Sequence, residues 1–93
     1  MHKELISEIE NKIANGEVYE AIKMLEEKIE TKEKSNEKVF YLLGNAYCKL
    51  NDWQKALNYY QYAIDINPHS PAKHARTMVI DILNFYNKDM FNQ

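Results

Sequence analysis

Phe40-Tyr41-Leu42-Leu43-Gly44-Asn45-Ala46-Tyr47, then Leu50-Asn51-Asp52, then Ala56-Leu57-Asn58-Tyr59-Tyr60-Gln61-Tyr62-Ala63, is the stretch that decides how this chain folds. Apolar residues recur three and four positions apart on both sides of Asn51, which is the period of one helix face. Phe40, Leu43 and Tyr47 fall on the first stripe; Leu57, Tyr60 and Ile64 fall on the second. Asn51 tolerates the left-handed conformation that ends helices, and Asp52 is a good cap for the helix that follows. Asn67-Pro68 stops that helix, because proline has no N–H and pushes its predecessor out of the helical region. Gly44 and Ala56 are small where the two helices must approach closely, and Ala63 does the same toward the next helix.

The same pattern lies upstream. Asn15-Gly16-Glu17-Val18-Tyr19-Glu20-Ala21-Ile22 aligns with Leu50-Asn51-Asp52-Trp53-Gln54-Lys55-Ala56-Leu57, and Ala21 and Ala56 are 35 residues apart. Leu5, Ile6, Ile9 and Ile13 predict a helix over about 3–14, which Asn15-Gly16 ends. Ala21, Ile22, Leu25 and Ile29 predict a second over about 18–31. The polar run 32–36 reads as a loop, with Asn36 capping a third helix that runs to Leu50. A fourth helix covers 53–66. Ser70-Pro71 opens a fifth, serine as cap and proline in the first turn, and that helix is expected to end between Asn84 and Tyr86.

Helix, short turn, helix, twice over, invites a search for a known repeat, and the arrangement resembles the tetratricopeptide repeat family. That repeat is about 34 residues long and reads Trp-x2-Leu-Gly-x2-Tyr, then Ala-x3-Phe, then Pro. Here Phe40-x2-Leu43-Gly44-x2-Tyr47, Ala56-x3-Tyr60, Ala63 and Pro68 stand at that spacing, with aromatics exchanged at two positions. Residues 37–70 resemble a full repeat. Residues 2–36 resemble a degenerate one, in which Ile9, Lys12, Lys28 and Glu33 stand where Gly, Tyr, Ala and Pro would be. An end repeat diverges because one side of it faces water. The resemblance implies an all-α, right-handed superhelical array of antiparallel helix pairs. It forms one domain over 1–93: about two repeats, a capping helix over 71–86 and a tail over 87–93. Ala72, Ala75, Val79, Ile82, Leu83 and Tyr86 supply the last layer of the stack.

The resemblance also implies a function: an adaptor that binds a protein or peptide, with no catalytic residue, cofactor or metal. In this family the first helix of each repeat lines a concave groove. The matching positions are Ile6, Glu10 and Ile13, then Lys38, Tyr41, Asn45, Cys48 and Lys49, then Ala72, Ala75, Arg76, Val79 and Ile82. The expected ligand is an amphipathic helix or apolar segment, with Tyr41 stacking on it and Asn45, Lys49 and Arg76 holding its backbone or a carboxylate. Chaperone-binding members clamp a C-terminal carboxylate with Lys, Asn, Asn, Lys and Arg. The residues here are Ile6, Glu10, Leu42, Ala72 and Arg76, so only the last fits and Glu10 repels a carboxylate. The second role weighed is self-association as a homodimer through Met78, Phe85, Met90 and Phe91 on the exposed end helix.

Composition narrows the classes further. Charged residues are 28% of 93 and the net charge is −2. Residues 1–36 hold six Lys and nine Glu, residues 37–70 balance, and residues 71–93 are net +1. No basic stripe is present, which argues against a nucleic-acid partner. Cys48 is the single cysteine, so no intramolecular disulfide can form and a reducing compartment is the simpler expectation. No signal-peptide pattern and no apolar run of about 18–20 residues is seen, so a cytoplasmic protein without a membrane anchor is expected. His2, His69 and His74 do not converge in sequence as zinc ligands would. There is no glycine-rich phosphate loop or nucleophile elbow, and Cys48 has no base nearby in sequence, so no enzyme is expected. Trp53 reads as the residue that closes a turn, and Tyr59 and Tyr62 as rim or convex-face residues.

Overall fold

Two residues with positive φ, 35 positions apart, set the architecture: Gly16 at 89° and Asn51 at 61°. The computed structural model describes residues 3–29 and 36–91, and those residues form five α-helices and no strand. They are α1 (Lys3–Ala14), α2 (Val18–Ile29), α3 (Asn36–Lys49), α4 (Trp53–Ile66) and α5 (Ala72–Phe91). Gly16 joins α1 to α2 and Asn51 joins α3 to α4. At the first turn the Glu17 N–H donates to Lys12 O (2.8 Å) and the Gly16 N–H to Ile13 O (3.3 Å). At the second the Asp52 N–H donates to Tyr47 O (2.9 Å) and the Asn51 N–H to Cys48 O (3.0 Å). Both are the 6→1 and 5→2 pair that closes a helix with a left-handed residue. The predicted loop over 32–36 lies, but for Asn36, outside the described residues, as do His2 and the side chains of Asn36, Tyr86, Met90 and Phe91.

Caps do the rest of the local work. Asp52 accepts the Lys55 N–H (3.3 Å) at the start of α4. Ser70, the one buried polar residue among those described, accepts the Ala72 N–H (3.1 Å) at the start of α5. The α5 helix continues through Phe91, past the end expected at Tyr86 and into the stretch expected to be a polar tail. No glycine or proline follows Pro71, so nothing in that stretch breaks the helix.

The helices stack as a repeat array: α3 packs on α1, α2 and α4, and α4 packs on α5. One core cluster joins α1, α2 and α3 through Ile9, Leu25, Leu42 and Leu43, and a second joins α4 and α5 through Ala56, Tyr60, Ala63, Ala72 and Val79. The two hairpins solve the same packing problem differently. Gly44 lies under the ring of Tyr60, and a Cβ at Gly44 would overlap the Tyr60 Cδ1 and Cε1 atoms. The positions 35 residues upstream hold Ile9 and Leu25, both fully buried. Small-plus-large in one hairpin is medium-plus-medium in the other, which is why the first repeat dispenses with glycine. A second exchange follows the same register. Tyr47 receives Lys55 over its ring, with Nζ 5.2 Å from the centroid, whereas the equivalent Lys12 pairs with Glu20 (3.5 Å) and Glu17 (3.7 Å).

Candidate protein-binding groove

Three helices leave an open cavity of about 470 Å³ between them. On the α3 side it is lined by Tyr41, Asn45 and Cys48, which recur at four and three residues and so share one face of that helix. On the α5 side Ala75, Met78, Val79 and Ile82 form the opposite wall, with Pro71 and His74 at the end where α5 begins. Trp53 and Tyr60 of α4 close the floor.

The floor carries a small polar network. The Tyr60 hydroxyl donates to Asn45 Oδ1 (2.6 Å). Cys48 Sγ lies 3.3 Å from the same hydroxyl, and since the tyrosine proton is committed to Asn45, the thiol is the donor there. Burial pushes the Tyr60 hydroxyl far above the ordinary tyrosine range, and its bond to Cys48 adds to the rise. Burial also pushes the Cys48 thiol up, partly offset by that bond. A thiol held protonated, with no base beside it, is a poor nucleophile. The network fixes the floor, satisfies its own polar groups, and leaves the Asn45 amide nitrogen unused by the Tyr60 bond.

Of the residues expected in the groove, Tyr41, Asn45, Cys48 and Val79 line this cavity, and Val79 is buried in its wall. Lys38 does not line it, but its Nζ lies 5.0 Å from the ring centroid of Tyr41, which does. Lys49 is exposed and Arg76 half-buried, and neither lines the cavity. In α1, Ile13 is buried in the first core cluster, Ile6 packs against it, and Glu10 faces water. Leu42 and Ala72 are fully buried, so two of the carboxylate-clamp positions are closed to any ligand. Trp53, Tyr60, Pro71, His74 and Met78 were not among the expected groove residues. Met78 was legible in principle, because it shares a stripe with Ala75 and Ile82. Trp53 was not, because its place depends on how α5 crosses α4.

Tyr59 and Tyr62 lie away from this cavity. Tyr59 stacks on Tyr47 (5.6 Å, 9°) and on Phe40 (6.1 Å, 22°), and Tyr62 packs against Phe40 and Tyr59. This aromatic ladder braces the α3–α4 hairpin against the first core cluster. Among the described residues no three His, Cys, Asp or Glu converge as a metal site, and no helix is long and apolar enough to cross a membrane.

Residues 37–70 match the tetratricopeptide repeat family. The whole chain is similar to Bacteroides fragilis protein BF1650, known from a solution NMR structure, at 53% identity and a TM-score of 0.86, covering 100% of this chain and 92% of that one. No curated protein matches the sequence. The repeat is in general a non-catalytic unit of protein–protein interaction. The spacing of Phe40 to Pro68, the stacked helical hairpins and these likenesses agree: the chain belongs to the tetratricopeptide repeat family.

Proposed function

We propose that this protein is an adaptor whose α3–α5 groove receives an apolar or amphipathic helical segment of a partner protein. The observation that carries this is the character of the cavity: open, walled by aliphatic and aromatic side chains, with Met78 53% and Ile82 37% exposed beside it. Exposed apolar surface of this kind, next to a few fixed polar groups, is what an amphipathic helix covers. Lys38 and the Asn45 amide nitrogen supply the polar contacts at its edge. The proposal includes the repeat boundaries at 2–36 and 37–70, a cytoplasmic location, and no catalytic, nucleic-acid or cofactor role.

Affinity capture from native cell extract tests this with three baits: the unaltered domain, Tyr41→Ala combined with Met78→Asp, and Tyr62→Asp on the aromatic ladder. A partner held by the first and third baits and lost at least about tenfold from the second is expected, since truncating a central interface anchor commonly costs 2 kcal/mol or about that. Retention by all three baits alike would place binding outside the groove. Met78 is exposed, so the charged variant keeps the fold, which circular dichroism verifies.

A further inference from the structure

Asn15-Gly16 is the one asparagine–glycine pair in the chain, and it lies in the link between α1 and α2. The residues from Ala14 to Glu17 are all exposed. The Asn15 side-chain amide has no hydrogen bond among the described residues. Gly16 has φ 89°, and nothing lies within 4 Å of the point where a Cβ would stand. Its N–H makes the longest of the bonds that close the two turns, 3.3 Å to Ile13 O. The second hairpin is built differently at the same place. There Asn51 itself takes the left-handed conformation, Asp52 follows it, and Tyr47 O holds the Asp52 N–H at 2.9 Å.

We infer that Asn15 is a site of spontaneous covalent modification, losing its amide to become aspartate and isoaspartate, and that the isoaspartyl form loosens the first hairpin. The reaction needs only water. When the turn opens and frees the Gly16 nitrogen from Ile13 O, that nitrogen gives its proton to a solvent base and attacks Cγ of Asn15. The Cγ–Nδ2 bond breaks, Nδ2 takes up a proton and leaves as ammonia, and the residue closes as a cyclic imide with the Gly16 nitrogen. Water then adds to either carbonyl carbon of the imide. Breaking the bond from Cγ to the Gly16 nitrogen gives aspartate. Breaking the bond from the residue 15 carbonyl carbon to that nitrogen gives isoaspartate, whose backbone runs through Cγ. In sum one water is consumed and one ammonia released, with no change of oxidation state. Glycine has no side chain to hinder the attack by its nitrogen, and an exposed helix end opens readily.

The isoaspartyl product disrupts the link. The Glu17 N–H to Lys12 O and Gly16 N–H to Ile13 O bonds close α1, and Glu17 O accepts the Ala21 N–H at the start of α2. Isoaspartate puts an extra carbon atom into the backbone between Cα of residue 15 and the Gly16 nitrogen, which parts these donors from their acceptors. Ile13 and Val18, on either side of the link, are only 8% and 4% exposed, so neither helix absorbs the insertion without uncovering apolar surface. The new carboxylate stands at the C-terminal end of α1, where the helix dipole disfavours negative charge. It also lies three residues from Lys12, whose ammonium Glu17 and Glu20 already share. The groove between α3 and α5 takes no part in this chemistry, so the inference is independent of the partner reading.

The test incubates the full chain at neutral and at mildly alkaline pH and follows the tryptic peptide 13–23 by mass spectrometry. A protease that cuts before aspartate but not before isoaspartate tells the two products apart. Asn15 is expected to convert at least about tenfold faster than Asn51, because opening the second turn must also break the Asp52 bond and Asp52 carries a side chain. The rate is expected to rise with pH, since the Gly16 nitrogen reacts without its proton. Asn15→Gln keeps a side-chain amide but closes a larger ring far more slowly, and is expected to stay intact and to fold as the native chain does. The purified isoaspartyl form is expected to melt roughly 5 °C below the native protein, and below Asn15→Asp, which carries the charge without the extra backbone atom. An Asn15 that stays intact while the urea-unfolded chain converts fully overturns the inference. So does equal conversion at Asn51, or an isoaspartyl form that melts with the native protein.

Discussion

Gly44→Ala is expected to destabilise the protein by about 2 kcal/mol, although alanine is the better helix former by about 1 kcal/mol. The new methyl would occupy the space of the Tyr60 ring, and Tyr60 is 2% exposed and tied through its hydroxyl to Asn45 and Cys48. The ring has nowhere to go without breaking that network. In a chain of this size such a loss lowers the melting temperature by roughly 10 °C. The first hairpin shows the remedy, since Ile9 and Leu25 hold the equivalent positions with no exposed surface. Gly44→Ile alone is expected to prevent stable folding at 37 °C. Gly44→Ile with Tyr60→Leu is expected to recover most of the loss, a large coupling between touching residues. Thermal unfolding of the three variants measures this, and no recovery in the double variant would mean that the two hairpins do not share a packing geometry.

Leu43→Ala is expected to cost more, about 3–4 kcal/mol, by creating a cavity in a site that cannot collapse. Leu43 is fully buried, and it stands on α3, the helix that packs on α1, α2 and α4. A defect there loosens the contact between hairpins as well as within one. Against a total stability of about 5–10 kcal/mol for a domain of this length, that is a third or more of the whole. The urea midpoint is expected to fall with the slope unchanged, since the same surface is exposed on unfolding.

Much of this was readable before any coordinates. The helix spacing around Gly44 and Ala56 led to the hairpin, Asn51 and Gly16 to the turns, and Ser70-Pro71 to the start of α5, because each is a local signal with a local cause. The role of Gly44 was legible only in outline: smallness indicated close approach, but not that an aromatic ring from α4 fills the gap. Lys12 in place of tyrosine looked like decay of the repeat, and it became an ion pair only when the fold brought Glu17, just before α2, and Glu20, in its first turn, beside it. The groove was half legible. Tyr41, Asn45 and Cys48 share a helix face whatever surrounds them, whereas Trp53 and Tyr60 reach the cavity only through the crossing of α4 with its neighbours. Arg76 and Lys49 were placed there by analogy of position, and the rotation of α5 and α3 turns them away from the cavity lining. The length of α5 was missed because polar residues after Tyr86 look like a tail, although none of them breaks a helix.

The most direct test of the central claim is to map a captured partner segment onto the isotope-labelled protein by backbone amide shifts, with the emission of Trp53, the single tryptophan, followed in parallel. The groove account predicts that the largest shifts fall on residues 41–48 of α3 and 74–82 of α5, and that Trp53 emission moves with the same affinity. Shifts concentrated on α1 and α2, or along Tyr47, Tyr59 and Tyr62, with Trp53 unchanged, would contradict it.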